Sequence, residues 1–141
     1  MSRIYWDTML FVYWLEDHPE HAAKVRAIFD RMQARQDILH TSAFSLGELL
    51  VAPVKQGAGE LVARIRDFFK SPEIELLAFT EATAERYAAI RATQRVSPAD
   101  AIHLACAAEA GTDLFLTNDR RLRGLTIPGI HFFGDMDATL L

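Results

Sequence analysis

Short apolar runs alternate with longer amphipathic stretches along this chain. Five of the short runs have strand length and stand beside turn, capping or polar residues, which predicts β-strands at 3–6, 38–40, 74–77, 114–116 and 130–133. Each run is too short for a stable helix of its own. The pattern therefore predicts a protein with about five short strands.

The longer stretches repeat apolar residues at helical spacing and predict five helices, over residues 20–36, 43–52, 58–70, 81–94 and 98–110. The second and third are separated near Pro53 and Gly57. The last is apolar on nearly every face, so we expect it to be buried. Strands that alternate with helices are typical of an α/β layer fold with a mainly parallel sheet.

Length and composition fit one soluble domain spanning residues 1–141. The chain weighs 15.9 kDa and half of its residues are hydrophobic, which is enough for a packed core and excludes intrinsic disorder as the main state. It has no apolar stretch of about 18 residues and no pattern of a secretory signal peptide, so we expect a protein that neither spans a membrane nor is exported. Cys106 is the single cysteine, which fits a reducing cytoplasm.

The net charge of −4 and the pI near 5.7 exclude a generic nucleic-acid-binding domain, which usually carries a basic excess. A nuclease remains compatible with this balance. A site that holds metal with carboxylates concentrates acidic residues at one place and can have arginines around it. The placement of the acids therefore matters more than the sum of charges.

Two acidic residues stand just after predicted strands, where parallel sheets bind ligands at the carboxyl ends of their strands. Asp7 follows the first strand and precedes Thr8, and Asp119 follows the fourth. Each has a local explanation as well, because an Asp beside a helix start caps the free amides of its first turn. Both interpretations stay open for each residue taken alone.

Two further acids lie within or at the start of predicted helices. Glu48 has S-x-x-E spacing from Ser45, which is typical of a capping box, but a helix that begins at Ser42 leaves Glu48 almost two turns inside it. Asp100 completes a helix-start pattern with Ser97 and Pro98. Each carboxylate lies among apolar neighbours, where an unpaired charge is costly.

A parallel sheet would bring these four acids toward one rim, although they are far apart in sequence. Carboxylates so close together raise each other's pKa unless a cation neutralises them. Oxygen ligands without Cys or a second His favour Mg²⁺ or Mn²⁺, which can activate water and stabilise a phosphodiester under attack. His103 lies one turn after Asp100, and we expect a packed or hydrogen-bonded histidine rather than a metal ligand.

The motifs around the four acids resemble those of the PIN-domain ribonucleases, most closely the VapC toxins of bacterial toxin-antitoxin pairs. The matching segments are Ile4–Thr8, Ser42–Glu48, Ser97–Ala105 and Leu116–Asp119, and the resemblance covers essentially the whole chain. It implies a three-layer α/β/α sandwich around a central, mainly parallel sheet. It also implies endonucleolytic RNA cleavage that depends on Mg²⁺ or Mn²⁺.

The resemblance assigns roles position by position. Asp7, Glu48 and Asp100 match the three core acids of the family, and Asp119 matches its fourth, more variable acid. Thr8 and Thr117 match hydroxyl residues that orient a carboxylate or a metal-bound water. Every core acid is present, and the one departure is Gly47, which weakens its helix by up to about 1 kcal/mol relative to Ala.

The resemblance further implies a homodimer and a VapB-like antitoxin whose C-terminal segment lies in the active-site groove. In the sequence itself, Arg120, Arg121 and Arg123 follow Asp119 directly and either contact RNA phosphates or form a solvated face. An aromatic cluster either stacks bases, seals a dimer or packs in the core; it comprises Trp6, Phe11, Tyr13 and Trp14.

Two other functions are compatible with an α/β domain of this kind. A phosphotransferase or receiver-like module would use Asp7 as a nucleophile and would favour a second acid at position 6 or 9, where Trp6 and Met9 stand. A PIN scaffold used only for binding would not need its acids, and here all of them are intact.

Overall fold

A computed structural model describes residues 1–137; residues 138–141 of the predicted domain lie outside the described part. The five strands are β1 (Arg3–Trp6), β2 (Ile38–Ser42), β3 (Ile74–Leu77), β4 (Thr112–Leu116) and β5 (Ile130–Gly134). They form one parallel sheet with the order β3-β2-β1-β4-β5. The predicted α/β fold with a parallel five-stranded sheet is therefore confirmed.

The helices are α1 (Thr8–Leu15), α2 (Ala22–Arg35), α3 (Ala43–Lys55), α4 (Gly59–Phe69), α5 (Glu81–Thr93), α6 (Pro98–Ala110) and α7 (Arg120–Arg123). α3 continues past Pro53, where the sequence predicted its end. Proline removes one helical hydrogen bond, but the Gln56 amide still bonds to the Ala52 carbonyl at 3.0 Å, so the last turn re-forms. Gly57 then ends the segment with a positive φ of 65°.

Strand alternation divides the core between the two faces of the sheet. Ile4 and Trp6 of β1 face the layer that contains α1 to α4, whereas Tyr5 faces the layer that contains α5 and α6. Trp6 and Phe11 are completely buried, which places this part of the aromatic cluster in the core. No helix within residues 1–137 combines the length and the apolar character needed to cross a membrane.

The order of the strands indicates where on the molecule a ligand site is expected. Chain connections run from β1 outward through β2 to β3, while β4 and β5 lie on the other side of β1. Ligands of such sheets bind outside the carboxyl ends of the strands where this reversal occurs, between β1 and β4. Asp7 and Asp119 follow these two strands.

Candidate active site

One cleft at this reversal point contains all four acids predicted from the sequence. It has a volume of about 400 Å³ and is lined by Asp7, Thr8, Met9, Glu48, Asp100, His103, Asn118 and Asp119. The acids come from four separate elements: the end of β1, the middle of α3, the first turn of α6 and the loop after β4. The parallel sheet thus brings together residues that are far apart along the chain.

Asp7 is held at the floor of the cleft by two donors. Its Oδ1 accepts the backbone N–H of Thr8 at 2.8 Å, which makes Asp7 the N-cap of α1, and its Oδ2 accepts the hydroxyl of Thr117 at 2.7 Å. Thr117 is itself buried and accepts the backbone N–H of Asp119 at 3.0 Å. The Asp7 carboxylate therefore caps α1 and lines the cleft at the same time.

Glu48 lies inside α3, because Ser42 is the N-cap of this helix and accepts the Ser45 amide. Its Oε1 accepts the Thr8 hydroxyl at 2.7 Å and makes a 2.6 Å hydrogen bond with His103 Nε2. Burial acts to raise the pKa of Glu48, but the hydrogen bonds from His103 and Thr8 outweigh it, so the pKa lies below its usual range. Glu48 is therefore a carboxylate at neutral pH.

Asp100 is the acid whose negative charge is least compensated. Its backbone N–H donates to the Ser97 hydroxyl at 3.1 Å, which is the helix start that the sequence predicted. Burial raises the pKa of the Asp100 carboxyl group, and the negative charges of Asp7 and Asp119 raise it further. The cleft therefore has an excess of negative charge around Asp100.

Asp119 has a different environment, because an arginine neutralises it. Arg121 donates from Nε to Oδ1 at 3.1 Å and from Nη2 to Oδ2 at 2.8 Å, and its backbone N–H also reaches Oδ1 at 3.0 Å. The side-chain hydrogen bonds from Arg121 lower the pKa of Asp119. Asp119 caps α7 as well, so it meets its local hydrogen-bonding role in full.

The donor chemistry of the cleft fits a hard divalent cation. Carboxylate and hydroxyl oxygens line it, and burial, together with the negative charges of Asp7 and Asp119, raises the pKa of Asp100. Within residues 1–137, however, no three His, Cys, Asp or Glu side chains stand close enough together to hold a metal ion as they are placed. The four acids share a cleft without forming a preassembled ligand set.

The three arginines after Asp119 do not form one surface. Arg120 is exposed and Arg121 is paired with Asp119, whereas Arg123 is half-buried and forms an ion pair with Asp135. Tyr13, from the aromatic cluster, accepts a hydrogen bond from Asn118 at 3.3 Å at the edge of the cleft. Of these groups, Arg120 and Arg121 are the cations exposed near the acids.

Sequence reasoning did not find the residue behind His103. The Tyr5 hydroxyl is hydrogen-bonded to His103 Nδ1 at 2.7 Å, and both residues are buried. The alternation of β1 places Tyr5 on the same face of the sheet as α6, which was readable from the sequence. The contact itself joins residues 98 positions apart, and no local pattern reports it.

Several solved structures share this fold. DNA-bound VapBC from Salmonella typhimurium matches at 24% identity and a TM-score of 0.75, covering 96% of this chain and 99% of that one. VapBC2 from Rickettsia felis, bound to a promoter DNA fragment, matches at 18% identity and a TM-score of 0.75, covering 94% and 98%. VapC20 of Mycobacterium tuberculosis, a sarcin-ricin loop cleaving toxin, matches at 16% identity and a TM-score of 0.66, covering 87% and 96%.

At these identities the solved structures establish the shared fold. No curated protein matches the chain. The family model of the PIN domain matches residues 4–127, a range that contains β4, all of β1 except Arg3, and all four acids of the cleft. The chain therefore belongs to the PIN domain family, and its fold is that of the VapC toxins.

Proposed function

We propose that this protein is a metal-dependent endoribonuclease that acts as the toxin of a VapBC-type pair. The observation that carries the proposal is the single cleft lined by Asp7, Glu48, Asp100 and Asp119 at the point where the strand order reverses. A phosphotransferase that uses Asp7 as its nucleophile would not need the other three. Membership of the PIN family supports a nuclease over that alternative.

Asp7, Glu48 and Asp100 would hold Mg²⁺ or Mn²⁺, with Asp119 joining them when Arg121 releases it. A cation held there would activate water and offset the charge that develops on the phosphodiester. Thr117 keeps the Asp7 carboxylate in place, and Thr8 does the same for Glu48. Arg121 keeps Asp119 neutralised in the protein without metal, and Arg120 lies beside it for RNA phosphates.

A VapB-like antitoxin and a homodimer complete the proposal. Structures with this fold include the two VapBC complexes and FitAB bound to a DNA fragment, which supports an antitoxin partner. The single buried thiol of Cys106 is compatible with action in the cytoplasm. A neighbouring gene for a short DNA-binding protein with a disordered tail would support the partner, and copurification of the two proteins would test it.

The decisive experiment compares Asp7→Asn and Asp100→Asn with Asp30→Asn, a matched control on the exposed side of α2. Asn still caps a helix, so Asp7→Asn should keep the fold. We expect both cleft variants to lose RNA cleavage while the control cleaves at the wild-type rate. Mn²⁺ should stabilise the wild-type protein by about 2.7 kcal/mol at 100 times its Kd, and stabilise the cleft variants much less.

Cleft variants that cleave RNA at the wild-type rate would overturn the assignment. A wild-type protein that binds no divalent cation at millimolar concentration, measured by isothermal titration, would favour a PIN scaffold used only for binding. Folding of each variant is checked by circular dichroism, so that loss of cleavage is not mistaken for unfolding.

A further inference from the structure

A buried chain of hydrogen bonds stands behind Glu48 and joins three elements of the fold. It runs from the Tyr5 hydroxyl on β1 to His103 Nδ1 on α6 at 2.7 Å, and from His103 Nε2 to Glu48 Oε1 on α3 at 2.6 Å. His103 lines the cleft but is only 3% exposed, and its Nε2 lies against two cleft side chains, 2.6 Å from Glu48 Oε1 and 3.3 Å from the Thr8 hydroxyl. It acts on the cleft most directly through the shorter of these contacts, the one with Glu48.

The partners of the imidazole assign its protons. The ionised Glu48 carboxylate can only accept a hydrogen bond, so Nε2 carries the proton that it donates to Oε1. On the other side of the ring, the Tyr5 hydroxyl lies 2.7 Å from Nδ1 and accepts the backbone N–H of Ser42 at 3.3 Å. Glu48 and Tyr5 thus hold the imidazole from both sides.

The bonds to Glu48 fall on one of its two oxygens. Oε1 accepts both His103 and Thr8, whereas Oε2 makes no hydrogen bond within residues 1–137. The side chain is 33% exposed and lines the cleft. One oxygen is therefore fixed by the protein, and the other is left for a ligand in the cleft.

We propose that His103 is a positioning residue: with Tyr5 behind it, it fixes Oε1 of Glu48 and so presents Oε2 to a divalent cation. This inference rests on the proposed function, because the cation is the one assigned to the cleft above. A carboxylate on a flexible side chain loses rotamer freedom when it binds a metal. Fixing it in advance removes part of this cost.

The surroundings of His103 show that its position is itself fixed. The ring of Phe44 packs against the imidazole with centroids 5.3 Å apart, and the Tyr5 ring packs edge-on at 6.0 Å. Ser45 Oγ lies 3.5 Å from Nδ1 on the side of α3. The imidazole therefore has little freedom to turn away from Glu48.

The first test measures Mn²⁺ affinity by calorimetry in four proteins: wild type, His103→Leu, His103→Gln and His40→Leu. Removing the partner that orients a metal ligand weakens binding by about 10- to 100-fold, so we expect that loss in His103→Leu. Gln places an amide N–H close to the position of Nε2, so His103→Gln should recover most of the affinity. Equal affinity in His103→Leu and wild type would overturn the inference.

His40→Leu is the matched control. His40 is the other buried histidine whose ring packs against Tyr5, at a centroid distance of 5.8 Å, but it does not contact the cleft. Its loss should lower stability and leave the Mn²⁺ affinity of the folded protein unchanged. A control that loses as much affinity as His103→Leu would show that any damage to this layer weakens binding, and would overturn the positioning role.

The second test measures the protonation of the His103 ring by NMR, and it needs neither a metal ion nor an activity assay. In ¹⁵N-labelled protein, we expect a protonated Nε2 for His103, with the resonances assigned by their absence in His103→Gln. An unprotonated Nε2 overturns the inference, because it cannot donate to Glu48. Tyr5→Phe keeps the ring and the packing but removes the hydroxyl that holds Nδ1, so it should loosen the imidazole and weaken Mn²⁺ binding.

The outcomes separate this inference from the function on which it rests. A wild-type protein that binds no Mn²⁺ overturns the proposed function and the positioning role together. A wild-type protein that binds Mn²⁺ and cleaves RNA, beside a His103→Leu variant that binds equally well, overturns the positioning role alone. If His103→Leu fails to fold, Tyr5→Phe decides the question, because it preserves most of the buried volume, and wild-type Mn²⁺ affinity in this variant overturns the positioning role.

Discussion

Tyr5 packs between two buried histidines, His40 and His103. Their hydrogen-bond partners differ, and the difference distinguishes the two ends of the sheet. His40, toward the amino ends of the strands, accepts from Arg3 Nη2 at 3.3 Å and donates to the Thr112 hydroxyl at 2.9 Å. Thr112 in turn donates to the Ala107 carbonyl at 2.7 Å. Both ring nitrogens of His40 thus have hydrogen-bond partners inside the fold. The hydrogen bonds through His103 instead end at the Glu48 carboxylate, whose Oε2 makes no hydrogen bond within residues 1–137.

The charges at the two ends follow the same division. At the amino end, Arg3 is paired with Glu75 at 2.6 Å. At the carboxyl end, the pKa of Asp100 is raised by burial and by its acidic neighbours. Buried polar groups with complete partners stabilise a fold, whereas carboxylates left with excess charge cost stability and suit a ligand. The amino end is therefore structural, and the carboxyl end is where we place the chemistry.

The largest expected effect is a loss of stability in acid that comes from the amino end. Burial and then the charge of Arg3 lower the pKa of His40 to about 4, below the value of about 6.5 in an unfolded chain. The unfolded chain therefore binds the proton first, and stability falls as the pH drops from about 6.5 to 4. The full difference is about 3 kcal/mol, measurable by urea unfolding across this range.

His40→Leu provides the reference for that measurement. It should be less stable than the wild-type protein at pH 7, and the gap should shrink as the pH falls toward 4, because the variant has no proton to bind at this position. If the difference in unfolding free energy between the two proteins stays constant with pH, His40 has no lowered pKa. The two ends of the sheet would then not differ in the way described here.

A smaller effect should distinguish two acids of the same cleft. Asp100→Asn removes a repelled carboxylate and should raise the unfolding free energy at pH 7, whereas Asp119→Asn removes the partner of Arg121 and should lower it. Both shifts should be at most about 1 kcal/mol, since these groups are partly exposed. Chemical denaturation without metal measures both, and shifts of the same sign would contradict the charge difference between them.

The pH dependence of this pair has opposite signs. Because the pKa of Asp100 is raised in the folded state, its ionised form costs stability above the pKa of the unfolded chain, about 3.9, and the advantage of Asp100→Asn should vanish below it. The pKa of Asp119 is lowered, so its contribution is present above that value and is lost in more acidic solution.

The smallest expected effect concerns the arginines after β4 and depends on RNA binding. For a single strand, removing one cation that binds a phosphate flattens the salt dependence of binding by about 0.7. Arg120→Gln and Arg121→Gln should each show such a change, while Arg123→Gln should not, since Arg121 is 83% exposed although it pairs with Asp119, whereas Arg123 is half-buried and held by Asp135. Filter binding at several salt concentrations measures the slopes, and three equal slopes would restore the single basic surface that the sequence suggested.

The sequence predicted the fold and the set of acids because both depend on local patterns. Apolar runs indicated the strands, and the Ser97-Pro98-x-Asp100 start indicated α6 with its acid in the first turn. Asp7 could be placed because it directly follows a strand. Its assignment to a cleft then needed only the rule for parallel sheets.

The partners of these acids could not be predicted, because they are distant in sequence. Glu48 and His103 are 55 residues apart, and nothing in either segment reports their contact. The arginine run looked uniform, yet Arg121 and Arg123 have different acidic partners. Which charges pair with each other depends on tertiary structure. The sequence alone therefore does not tell whether an acid is free to bind a ligand or is neutralised by an arginine.

The strand order also determines when the cleft is completed during protein synthesis. β1 lies beside β4, and the Thr117 hydroxyl that holds Asp7 is 110 residues further along the chain. A chain still attached to the ribosome therefore has an unpaired edge on β1 and no donor for Asp7 Oδ2 until this region has emerged. The folding order thus delays assembly of the acidic cleft until at least residue 119 has been made.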